Sequence, residues 1–274
     1  MYRALLLAIL LVLVGPPATA GGELPPLTNT GAPSISGTAR EGEVLRAHPG
    51  RWTPQRAETR YRWLRGGEPV ARARERSYRL TALDVGTHVS VEVRVRADGY
   101  AWTAAVSETT SRIDYRTPVR RTVTYDVTTR GRITTSVATF KRQAQETYGD
   151  ARGWRAGGIA FRQVGRGGDF TLVLAEASTL PSFGAECSTY WSCRVGRFVV
   201  INQDRWKFAS PAWNQARAGL RDYRHLVVNH ETGHWLGHGH AGCPGAGRPA
   251  PVMMQQSKGL DGCRFNPWPT PAER

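Results

Sequence analysis

Histidine is scarce in this chain, with seven among 274 residues. Cysteine is missing from everything before Cys187, so no disulfide can staple the first half, and whatever folds there must be held by packing. Lysine is nearly absent: of 37 basic side chains only Lys141, Lys207 and Lys258 are lysine. The formal net charge of +15 therefore rests on arginine, a bias that fits a GC-rich coding composition better than a binding code. Only one long apolar run exists, ALLLAILLVLVG at 4–15. It is shorter than the ~20 residues a spanning helix needs, which argues against the rival reading, a membrane anchor. Global disorder is excluded too, because 40% of the residues are hydrophobic.

That apolar run follows Arg3 and precedes Ala18-Thr19-Ala20, a small-residue cleavage site. Residues 1–20 read as a cleaved export signal, leaving Gly21 as the mature N-terminus. Export makes disulfides permissible, and the cysteine count is even: Cys187, Cys193, Cys243 and Cys263. Of the three pairings open to four cysteines, sequence proximity favours Cys187–Cys193 and Cys243–Cys263. A four-thiolate zinc site is the rival, but it lacks any C-x-x-C pair. Arginine is densest at Arg60, Arg62, Arg65, Arg72, Arg74, Arg76 and Arg79. Two readings stay open for this stretch: attraction to an anionic cell wall or membrane surface, or a solvated face. No nucleic-acid motif is present, and no nucleic-acid partner is expected.

The length allows one large domain or two small ones, and the pattern divides the chain. Up to about residue 113 it alternates: YRWL at 61–64 puts Tyr61 and Trp63 on one face, and VSVEVRV at 89–95 puts four valines on one face. Gly66-Gly67 and Asp98-Gly99 supply turns. Residues 21–113 are expected to form an all-β sandwich. From about 117 the pattern mixes. Strands are predicted at 121–129, 158–164, 169–175 and 196–203. A helix is predicted within 134–150, with Gly149 as its cap, and a second from an Asp222 N-cap to residue 236.

The histidines concentrate in VVNHETGHWLGHGH, 227–240. On a helix, His230 and His234 share one face and can grip a single metal ion. Glu231 lies beside that ion, placed to take a proton from its water. Catalytic zinc wants a third protein ligand. His238, on a continuous helix, stands ~12 Å along the axis from His230 and cannot converge with it. If Gly237 ends the helix and reverses the chain, His240 can. A glutamate ligand from further along is ruled out by inventory, since after Glu231 only Asp261 and Glu273 carry carboxylates.

Three resemblances follow. PGRW (49–52), YRWL and LTALDVGTHVSVEV (80–93) resemble the immunoglobulin-like modules of secreted bacterial proteins, which implies a binding or spacing role. The pattern H-E-x-x-H-x-x-G-x-x-H resembles the metzincin zinc metallopeptidases. That likeness implies an α+β domain over 117–274 and a methionine turn under the metal. APVMMQQS (250–257) supplies the turn, with Met253 as the better match and Met254 the alternative. Several metzincin groups carry a tyrosine two residues after that methionine; here Gln255 stands there. Finally, the run from NHETGHWLGHGH through CPGAGRPAPVMMQQ to NPWP looks like a family of secreted actinobacterial proteins of undefined function.

The sequence thus leads to a secreted, multidomain zinc metallopeptidase that acts on peptides or proteins. Its ligands are His230, His234 and His240, its general base is Glu231, and its pocket wall is expected from 241–252. The reading from another class is a cell-wall-binding or adhesive protein with a non-catalytic zinc site.

Overall fold

A computed structural model describes residues 23–274. The export segment read at 1–20 lies outside them. No helix among the described residues is long and apolar enough to cross a membrane.

Nine strands come first: β1 (Thr28–Gly31), β2 (Ser34–Ser36), β3 (Val44–His48), β4 (Arg51–Thr53), β5 (Glu58–Arg65), β6 (Glu68–Pro69), β7 (Ser77–Arg79), β8 (Val89–Arg96) and β9 (Thr103–Val106). They form a three-stranded sheet, β2-β3-β7, and a four-stranded one, β6-β5-β8-β9, with β1 and β4 paired apart. Alternation decides which face is buried. Val89, Val91, Val93 and Val95 are fully buried and share one core with Leu45, Trp63 and Leu80, whereas Arg94 and Arg96 are exposed.

Packing is not all that holds this core. Trp63 stacks on Tyr78 and its Nε1 donates to the Glu75 carbonyl at 2.9 Å. Tyr78 Oη donates to Asp84, a carboxylate with no exposed surface, which also accepts from the Thr81 amide and hydroxyl and from Arg65 Nε at 2.7 Å. Arg65 is therefore structural and does not belong to a free basic face. Arg60 pairs with Glu58, Arg62 stands 3.8 Å from Glu92, and Arg76 and Arg79 donate to backbone carbonyls.

The second half is mixed α/β. β10 (Arg121–Arg130), β11 (Ile159–Gln163), β12 (Phe170–Ala175), β13 (Cys193–Val195) and β14 (Phe198–Asn202) form a sheet in the order β11-β10-β12-β14-β13. All pairs are parallel except β13 with β14. β12 is buried on both faces, as a central parallel strand should be. Phe170, Leu172 and Leu174 join the core on one side. Val173 and Ala175 pack with Leu180 and the Cys187–Cys193 disulfide region on the other.

Among the described residues four α-helices complete the unit: α1 (Val137–Gly149), α2 (Gln203–Phe208), α3 (Pro211–Gln215) and α4 (Leu220–Trp235). Helical spacing buries Phe140, Ala144, Thr147 and Tyr148 of α1, and Ser136 caps its start by accepting from the Thr139 amide. Two expected helix ends need correction. Gly149 does not cap α1; it is the last helical residue, and Asp150 ends the helix in an extended conformation. Asp222 is not an N-cap, because α4 begins two residues earlier behind Gly219, leaving Asp222 in the first turn, where its charge suits the helix dipole. Helices α1 and α4 are pinned together by Tyr148 Oη to Thr232 Oγ1 and Thr147 Oγ1 to His225 Nδ1, each 2.9 Å.

The two halves meet through the connecting segment. Tyr115 Oη donates to the Gly149 carbonyl at 2.6 Å, and Arg155 covers the Tyr115 ring while donating to the Thr117 carbonyl.

Candidate metal centre

Helix α4 carries His230 and His234 on one face, one turn apart, and then stops abruptly. The Gly237 amide donates to the His234 carbonyl at 3.2 Å and the His238 amide to the Gly233 carbonyl at 2.9 Å. This double closure is a Schellman turn, and it needs a left-handed residue just past the helix. Gly237 supplies it with φ of 101°. The chain reverses, and His240 arrives beside the other two.

The three Nε2 atoms converge. His234 Nε2 lies 3.2 Å from that of His230 and 3.1 Å from that of His240, and all three are within 4.8 Å of one another. His238 is elsewhere: its ring stacks on Trp154, centroids 4.7 Å apart.

The protonation of these rings follows from their other nitrogens. His230 Nδ1 faces the Val252 carbonyl at 2.8 Å, and His234 Nδ1 faces the His238 carbonyl at 2.9 Å. A carbonyl only accepts, so each Nδ1 carries the proton and each Nε2 of a neutral ring offers a lone pair. Burial keeps the rings neutral; it drives His230 down to about 3, opposed by the Val252 carbonyl, and also lowers His234 and His240. Lone pairs pointed at one another repel unless a cation lies between them. Two ligands of a tetrahedral zinc at ~2.0–2.1 Å stand roughly 3.3 Å apart, close to the two short separations here. The widest pair, His230 and His240, involves the exposed member. The donor set therefore fits a zinc-sized cation.

Glu231 lines the cavity in front of the triad. It is 7% exposed, and among the described residues its carboxylate accepts no hydrogen bond, so burial pushes it up to about 8 against the pull of Arg194. A cation held by the neighbouring imidazoles would favour the ionised form, in which this carboxylate can accept a proton.

Beneath α4 lies the turn around Met253, which is buried. The Ala241 amide donates to the Met253 carbonyl at 3.1 Å, tying the segment after His240 to the turn. The Cys243–Cys263 disulfide closes the same region. Met254 packs apart from Met253, in the small cluster with Ala250 and Cys263.

Several contributors were not picked out from the sequence. Gly233, inside the helix between the two ligands, has no room for a side chain: an added Cβ would collide with Met253 Sδ and lie 2.8 Å from Trp154. A glycine costing about 1 kcal/mol in a helix interior was its visible signal. Glu273, given no role from the sequence, accepts from the Val252 and Met253 amides at 3.1 and 2.8 Å and so holds the peptide whose carbonyl orients His230. Trp154 Nε1 donates to the Asn229 carbonyl. The pocket wall also needs correction. A cavity of about 270 Å³ is walled by Glu186, Trp191–Arg194 and Met254–Lys258, and not by 241–252. β13 is the edge strand of the sheet and its residues Cys193 and Arg194 line the cavity, a placement that the sheet order discloses.

Gly233→Ala is expected to lower stability by about 1–3 kcal/mol, the usual cost of overpacking a filled core, and to weaken metal retention with it. Thermal melts with and without added zinc check this; an unchanged midpoint would mean that Met253 and Trp154 yield freely.

Residues 97–271 match the family described as "Protein of unknown function (DUF3152)". The match thus begins before the second half, and includes β9. No curated protein matches the chain.

Proposed function

The chain belongs to the DUF3152 family of proteins of unknown function, and from the geometry of its histidine cluster we propose that it is a secreted, metzincin-like zinc metallopeptidase. The observation that carries this reading is the pairing of three converging Nε2 lone pairs with a buried, unbonded carboxyl in one cavity. A purely structural site has no use for a base beside it. Export is supported by the leader read at 1–20 and by two disulfides. On this reading the N-terminal sheets are an immunoglobulin-like spacer or binding module.

Zinc bound by the three imidazoles supplies a Lewis acid that polarises a peptide carbonyl and acidifies water. The chain's own residues do the rest. Nδ1–H of His230 and His234, fixed by the Val252 and His238 carbonyls, sets their ring orientation. The Glu231 carboxylate takes a proton from the attacking water and delivers it to the leaving amine nitrogen. The free edge of β13 can align an extended peptide by main-chain hydrogen bonding, with the Cys187–Cys193 disulfide anchoring that strand at its first residue.

The adhesive alternative draws on the arginine-rich stretch, which is partly consumed by internal partners: Arg65 by Asp84, Arg60 by Glu58. The full chain without its leader should hold one zinc by mass spectrometry and cleave a denatured protein. Chelation should stop cleavage and zinc should restore it. A zinc-loaded chain that cleaves nothing across a broad peptide library would favour the binding protein.

A further inference from the structure

Arg194 is placed where an arginine is expensive to leave alone. It lies on β13 and lines the cavity in front of the histidines. Its Nε is closed off from solvent and donates to nothing. Among the described residues no carboxylate pairs with it, although Glu186 and Glu231 line the same cavity. Three partly buried arginines elsewhere in this fold are answered by carboxylates, Arg65 by Asp84, Arg152 by Asp150 and Arg221 by Glu146; Arg155 and Arg205 have none and donate instead to the Thr117 and Ala209 carbonyls.

A guanidinium has five donors and no acceptor, in a planar fork that matches a carboxylate. The Nε is sealed in the cavity wall, so a ligand meets the Nη donors, which have no carboxylate partner and forfeit charge-assisted bonds that a ligand could supply. Lys258 lines the cavity as well. Two cations, Arg194 and Lys258, thus share the cavity with the three histidines.

We propose that Arg194 is the specificity-determining residue of this cavity and receives a carboxylate of the bound peptide, so that the protein selects acidic peptides. Calling that peptide a substrate rests on the metallopeptidase reading; the anion site itself does not. The carboxylate belongs either to an Asp or Glu side chain or to a free chain end.

Calorimetric titration of the full chain, as purified and again after zinc loading, separates the cases. Three probes are used: acetyl-Ala-Glu-Ala-amide, acetyl-Ala-Gln-Ala-amide, and acetyl-Ala-Gln-Ala with a free carboxylate. The expected result is that a carboxylate-bearing probe binds about tenfold or more tighter than the neutral one, the size of a charge-assisted hydrogen bond. The preferred acidic probe tells side chain from chain end. The ratio should fall to about one in Arg194→Gln, and Arg194→Lys should retain part of it, with circular dichroism confirming that both fold. Equal binding of all three probes by the parent, binding of none, or a ratio that survives Arg194→Gln would overturn the proposal. Discrimination without any cleavage sinks the metallopeptidase reading and leaves the anion site standing. Cleavage without discrimination does the reverse.

Discussion

Glu231→Ala is expected to keep its zinc and lose roughly 10²–10⁴-fold in turnover, the usual worth of general acid–base help. The carboxyl stands outside the converging Nε2 atoms, so removing it takes away a proton carrier and no ligand. His240→Ala should behave differently and lose metal and activity together. It is the exposed ligand, brought in by a turn instead of by the helix, and two imidazoles alone leave a poor zinc site. His238→Ala is the control. Its ring stacks on Trp154, and what it offers His234 is a peptide carbonyl that alanine keeps. It should lose about 1 kcal/mol of stability at most, the worth of an aromatic contact, and retain zinc. Metal content and cleavage rate measured side by side decide the matter. Zinc lost from His238→Ala but kept by His240→Ala would mean the chain does not reverse at Gly237.

Asp84→Ala should destabilise the N-terminal sheets by about 3 kcal/mol or more, because it strips the shared partner from Arg65, Tyr78 and the Thr81 amide at a fully buried position. The same carboxylate sets the acid limit of that half. Burial alone would raise its pKa, but hydrogen bonds from Arg65, Thr81 and Tyr78 outweigh burial and hold it below the ordinary carboxylate value. A lowered folded pKa means the contribution is fully present above the unfolded value of about 3.9 and is lost as pH falls through the folded one. Urea unfolding followed by tryptophan fluorescence should therefore show the parent weakening below about pH 4, and Asp84→Ala already weakened at pH 7 with less further loss. Equal midpoints at pH 7 would show that the buried carboxylate contributes nothing net. The histidine cluster should be intact in the variant, since the hydrogen-bond partners Asp84 loses, Arg65, Tyr78 and Thr81, all lie in the N-terminal half.

What could be read from the sequence was whatever local periodicity controls. β8 and the first strands of the second half lie where alternation or apolar runs put them, and His230 and His234 share a face because four residues make about one turn. Gly237 was readable because only one residue type makes that reversal cheaply. Contacts set by tertiary packing were not legible. Gly233 matters through Met253 and Trp154, which lie about twenty and eighty residues away in the chain. Glu273 matters through amides of the Met253 turn, and no pattern links it to His230. The cavity wall was misplaced for the same reason: it depends on β13 joining the sheet beyond β14, and a three-residue strand carries too little periodicity to announce its position.

The reversal after α4 has a further meaning for how this site can drift. Leu236 and His238 flank the glycine, yet what the turn asks of them is their peptide groups: the His238 amide closes the helix and its carbonyl fixes the tautomer of His234. An alanine scan erases side chains and is blind to such duties. Position 238 should therefore accept many residues that can lie against Trp154, while 237 accepts almost none. A substitution map of this loop would show one intolerant glycine beside a permissive histidine, the opposite of what a histidine-rich segment suggests.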